Sequence, residues 1–151
     1  MKWYYFLFLF LLGACSLNAD QEASLSEAVS FYLDAKNEGR VKVFVGFTHP
    51  DVVVYYKNQG DSIFTEKFDL SFDGESYSYL HDGQIKEIET KDEFIHVKYN
   101  FVSVDDYYYE VDQMEVHIYA ISEDHGNSWF FMEEIDYLND DIMKSKHRLI
   151  K

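Results

Sequence analysis

The stretch Glu93-Phe94-Ile95-His96-Val97-Lys98-Tyr99-Asn100-Phe101-Val102-Ser103-Val104 puts Ile95, Val97, Tyr99 and Phe101 on one side of an extended chain, with His96, Lys98 and Asn100 on the other. Alternation with a period of two is the mark of a half-buried strand. The pattern returns where Met114, Val116, Ile118 and Ala120 oppose Glu115, His117 and Tyr119. A last strand is expected over Trp129 to Asp136, entered through Glu123-Asp124-His125-Gly126-Asn127-Ser128, a composition that suits a hairpin loop. These segments predict an antiparallel meander of about four strands.

Upstream of the meander the period is helical. Ser24-Leu25-Ser26-Glu27 has the spacing of a capping box, and Leu25, Ala28, Val29, Tyr32 and Leu33 follow on one helical stripe that Gly39 ends. Val41, Phe44 and Val45 suggest a second, shorter helical segment over Arg40 to Phe47. Thr48-His49-Pro50-Asp51 breaks it, because proline moves the residue before it away from helical dihedrals. Val52 to Tyr56 then reads as a short buried strand turning at Lys57-Asn58-Gln59-Gly60. Asp61 or Ser62 is placed to cap another helix carrying Ile63, Phe64, Phe68 and Phe72, and Asp73-Gly74 and Asp82-Gly83 punctuate a Tyr- and Ser-rich loop. Helices followed by strands define an α+β layout with one sheet face covered.

The chain has 151 residues, 47% of them apolar and 19% aromatic, with 28 acidic and 13 basic side chains for a formal charge of −15. Such apolar content excludes a disordered acidic chain, and the length fits one domain. The negative surface argues against nucleic acid as a partner, since approach to phosphate begins with repulsion. A single cysteine excludes an internal disulfide framework. The six histidines show no zinc-site spacing, and neither Asp-Gly pair has a calcium-loop order. No phosphate-cradling glycine loop or Gly-x-Ser-x-Gly elbow is present, so no metal or cofactor is expected.

The first residues, from Met1-Lys2-Trp3 through Phe10-Leu11-Leu12, combine one positive charge with an apolar run that stops at Gly13 and Ala14. That is a signal-peptide layout, too short to remain as a membrane span. Leu12-Gly13-Ala14-Cys15 resembles the lipobox of bacterial lipoprotein precursors. The resemblance implies a signal peptide over 1–14, lipidation of Cys15 and attachment to the lipid bilayer at the cell envelope. Ser16 after the cysteine favours the outer membrane in a Gram-negative cell. Residues 15–23 then form a lipidated tether, 24–138 the folded domain, and 139–151 a basic tail, either frayed or holding a short helix capped by Asp140 or Asp141.

The order of elements, the Phe47-Thr48-His49-Pro50-Asp51 break and the closing Gly126-Asn127-Ser128-Trp129-Phe130-Phe131 segment resemble the nuclear-transport-factor-2-like superfamily. This is the cone fold shared with ketosteroid isomerase and polyketide cyclases. The resemblance implies N-terminal helices packed in the concave face of a curved antiparallel sheet. That face collects Tyr32, Tyr55, Tyr99, Phe101, Trp129 and Phe131, with no carboxylate placed by alternation. Aromatic core packing explains these residues, and a small apolar ligand held by Tyr32, Tyr55, Tyr99 and Trp129 is the functional alternative. His49 and Asp51 are the candidate acid–base pair of an isomerase- or cyclase-like enzyme, although a turn accounts for the same residues. Glu115, His117 and Tyr119, with His96 and Lys98, should occupy the convex side, where a homodimer would form. Asp105-Asp106-Tyr107-Tyr108-Tyr109 reads as strand residues or as an aromatic patch for a carbohydrate or protein. The expected role is a non-enzymatic binding or accessory domain whose partner is a small apolar ligand or an envelope protein.

Overall fold

A computed structural model describes residues 16–70, 76–107 and 110–151, with the side chains of 76–78, 105–107 and 110–112 outside that description. Cys15 and the segment before it, Phe72 with Asp73-Gly74, and the side chains of the Asp105 to Tyr109 run therefore lie outside the described residues. Four helices, α1 (Ala19–Asn37), α2 (Val41–Phe47), α3 (Pro50–Gln59) and α4 (Asp61–Lys67), precede β1 (Ser76–Lys91), β2 (Phe94–Tyr107), β3 (Glu110–Ser122) and β4 (Phe130–Glu133). A one-turn helix α5 (Glu134–Tyr137) and a 3₁₀ turn at Ser145–His147 complete the chain. The strands form one antiparallel sheet in the order β1-β2-β3-β4. The fold is α+β, as the sequence pattern predicts.

Helix α1 starts five residues before the expected capping box. The Asn18 side chain accepts from the Gln21 amide at 2.9 Å, and the Gln21 side chain accepts in return from the Asn18 amide at 3.0 Å. That reciprocal pair satisfies two orphan donors, so most of the segment expected as a tether is helical and Leu17 is already buried. Ser24 instead donates to the Asn127 carbonyl at 3.5 Å, and Gln21 donates to the His125 carbonyl at 2.8 Å. These bonds fix the start of α1 on the β3–β4 loop. At the other end, Asn37 exchanges two hydrogen bonds with the Leu80 backbone and ties α1 to β1.

The largest departure is α3, which occupies the segment expected as a strand. Pro50 takes the first helical position, where its missing N–H costs nothing, and the His49 imidazole accepts from the Asp51 amide as a cap. The break before Pro50 is thus the entrance to a helix, and Val52 faces the core from it. The His49 amide donates to the Phe131 carbonyl at 2.8 Å, beside an isolated bridge between Thr48 and Phe131. This junction holds α3 against β4. Helix α4 begins after Gly60, with no side-chain cap from Asp61 or Ser62. Asp82-Gly83 lies inside β1 at a register shift, with Asp82 at φ 53°. A Cβ at Gly83 would overlap the Phe101 ring, so glycine is required there.

Register gives the two sheet faces. Val97 pairs with Ala120, Tyr99 with Ile118 and Phe101 with Val116, which places these residues on one side. The helices cover that side, where Tyr32 stacks on Phe131 with ring centroids 4.5 Å apart and packs against Phe44 at 5.2 Å. The opposite side is not left to solvent. Tyr137 lies flat on Tyr119, with centroids 3.8 Å apart and 2° between planes, and its hydroxyl meets His96 Nδ1 at 2.8 Å. Arg148 donates through Nε to the Tyr137 carbonyl at 2.6 Å, and the Ile150 amide donates to the Tyr137 hydroxyl at 3.1 Å. Ile142, Met143 and Ile150 are buried, so the segment expected as a tail is part of the fold. His96 and Tyr119, expected on an open convex face, are each 2% exposed.

Candidate functional site

A cavity of about 290 Å³ opens between α1, the α2–α4 segment and β4. Its apolar wall includes Tyr32, Phe44, Val52, Phe68, Leu70 and Phe131, and its polar wall is Lys36, Thr48, Lys67, Asp69, Glu133 and Asp136. Lys36 stands one helical turn beyond Tyr32 on the same stripe, and Glu133 points to the helix side because it pairs with Ile118. Lys36, Lys67, Glu133 and Asp136 form one network. Lys36 Nζ is 2.9 Å from Glu133 Oε1, Lys67 Nζ is 3.1 Å from Glu133 Oε2, and Lys67 Nζ is 2.8 Å from Asp136 Oδ2. The Tyr56 hydroxyl donates to Asp136 Oδ1 at 2.9 Å. Two cations against two carboxylates leave the network neutral.

The pairing decides the chemistry. Burial alone would raise the Glu133 pKa, but Lys36 and Lys67 outweigh it and hold the carboxyl down at about 2. Burial lowers Lys67, and its two carboxylate partners overcome this to raise it above the ordinary lysine value. Burial, reinforced by Glu133 and Asp136, pushes the Tyr32 phenol well above its ordinary value. A general base works best with a pKa near the operating pH. A carboxylate at about 2 and a lysine raised above 10.5 are both far from it. Neither Glu133 nor Lys67 is tuned to exchange a proton near neutral pH.

Of the residues the sequence nominates for an apolar ligand, Tyr32 lines this cavity. Tyr99 stacks on Phe101 inside the core, where burial raises its pKa to about 12, and Tyr55 packs edge-on against Tyr56. Trp129 is buried with its indole N–H lacking a hydrogen-bond partner. The carboxylate expected to be missing from this face is present as Glu133. Its signal lies in the last strand, where Trp129, Phe131 and Glu133 share one parity.

His49 and Asp51 lie elsewhere, near a second cavity of about 430 Å³ bounded by the starts of α3 and β2, the β3–β4 loop and the C-terminal segment. His49 is 3% exposed, whereas the Asp51 side chain is 61% exposed. The imidazole Nδ1 accepts from the Asp51 amide at 3.3 Å, and the Asp51 carboxylate stands 4.0 Å from that same nitrogen. Burial lowers the His49 pKa against the opposing charges of Asp51 and Glu123. The ring is therefore neutral at pH 7 and, with Nδ1 accepting, carries its proton on Nε2. A protonated Nε2 has no lone pair for a metal. Among the described residues no group of three or more His, Cys, Asp or Glu side chains is placed to hold one.

No family model, curated protein or solved structure matches this chain.

Proposed function

We propose that the chain is a lipoprotein of the cell envelope, anchored through lipidated Cys15, whose domain binds a small molecule without transforming it. The observation that carries the binding role is the charge network of the first cavity, where Glu133 is held at about 2 by Lys36 and Lys67. An apolar wall with a few fixed polar groups is the usual make-up of a small-molecule site. Here Lys36, Lys67, Glu133 and Asp136 offset one another and Asp69 adds one acid, which disfavours an anionic ligand. The helices-on-meander arrangement is consistent with the cone-fold resemblance, and fold alone does not choose between a binding domain and an enzyme.

The anchoring is supported by the Leu12-Gly13-Ala14-Cys15 resemblance and by the signal-like run before it. Among the described residues no helix is long and apolar enough to cross a membrane. A dual-chain lipid would hold the domain stably at the bilayer. Cys15→Ser is expected to leave the precursor uncleaved and to abolish labelling by a palmitate analogue in cells, while the wild type is labelled. Equal absence of label on the wild type would contradict the anchor. Recovery of the purified full chain with a bound small molecule, read by native mass spectrometry, tests the binding role; turnover of that molecule would instead support the isomerase-like enzyme.

A further inference from the structure

We propose that the second cavity, beside His49 and His96, is a separate binding site for a small zwitterion with an aliphatic side chain, the amino-acid class of ligand. The first observation is an unsatisfied donor. His49 Nε2 is buried without a hydrogen-bond partner, and the nearest acceptor, Glu123 Oε1 on an exposed side chain, stops at 3.6 Å. A buried polar group left unpaired is costly and is removed by any acceptor oxygen that reaches it.

The second observation is a second imidazole, His96, which stands at the same cavity. The Tyr137 hydroxyl accepts from the Ile150 amide at 3.1 Å and meets His96 Nδ1 at 2.8 Å. His96 lines the cavity, and His49 is close enough to act on it electrostatically. Two imidazoles, each held by a bond to Nδ1, thus stand beside the cavity, and the Nε2–H of His49 is the donor left unpaired.

The third observation is charge of both signs around an apolar patch. Lys91 and Lys146 line the cavity together with Asp51, Asp92 and Glu123, and His96 and His147 join them, so charges of both signs meet there. A simple anion meets the three carboxylates there, and a simple cation meets two lysines and the His49 donor. A ligand with a carboxylate and an ammonium group matches both sets. Phe94, Met143 and Leu149 provide the apolar surface for its side chain, and about 430 Å³ lies at the small end of the range for such sites.

The test uses the full chain in detergent micelles and three probes of equal side chain: L-leucine, leucinamide without the carboxylate, and isocaproate without the amine. L-leucine should move the imidazole nitrogen NMR signals of His49 and His96 saturably, and each truncated probe should bind about tenfold more weakly. His49→Asn, which keeps a capping side chain, should weaken L-leucine by about tenfold as well. Equal binding of all three probes, or no saturation by L-leucine below about 10 mM, would overturn the assignment.

Discussion

Asp136→Ala is expected to lower the unfolding free energy by about 3 kcal/mol, measured by urea denaturation near neutral pH. Asp136 is 2% exposed, and its carboxylate takes both the Tyr56 hydroxyl and the Lys67 ammonium. Removing it leaves the Tyr56 hydroxyl without its acceptor and Lys67 with Glu133 as its remaining partner. The cost is that of orphaned polar groups, more than that of the lost contact area. Glu133→Ala should cost less, because its side chain is one-third exposed and water screens the lysines it leaves behind. A loss below about 1 kcal/mol for Asp136→Ala would show that water already serves these groups.

Acid should destabilise the fold in two successive steps. Burial, with a smaller contribution from His49, lowers the His96 pKa from 6.5 to about 4. The unfolded chain therefore binds more protons than the folded one between those values, and stability falls as pH drops from 6.5 to about 4. The shift corresponds to about 3 kcal/mol. His49, lowered by burial as well, adds to the loss in the same direction. Below this range Glu133 takes over: its pKa is depressed from 4.5 to about 2, so its contribution is complete above 4.5 and disappears as pH falls to about 2. Exposure to water reduces that second step. Urea midpoints across this pH range read both steps, and His96→Gln should flatten the first while leaving the second. An unchanged first limb in His96→Gln would assign the acid sensitivity to other groups.

The sheet was legible because apolar side chains alternate with polar ones along β2 and β3, even though both faces are covered. Ile95, Val97, Tyr99 and Phe101 are all buried where the alternation puts them. Helix α3 was not, because Val52-Val53-Val54-Tyr55-Tyr56 has the composition of a strand. Position decided against composition: Pro50 at the first helical position and His49 as cap start a helix there. Glu133 was recoverable from parity with Phe131, and Lys36 from its spacing after Tyr32. Their meeting with Lys67 and Asp136 was not, since it depends on how α4 and α5 close over one end of the sheet. The Tyr137–His96 bond joins residues 41 apart in sequence and leaves no local trace. The same non-local packing converts the basic C-terminal segment from an expected tail into a cover for the sheet.

The pKa of Glu133 separates a first cavity that only holds its ligand from one that exchanges protons with it. A carbon NMR titration of the Glu133 side-chain carboxyl should give a midpoint near about 2, with no inflection at higher pH. A midpoint between about 5 and 7 would contradict the account, because Glu133 would then be a competent general base in an apolar cavity.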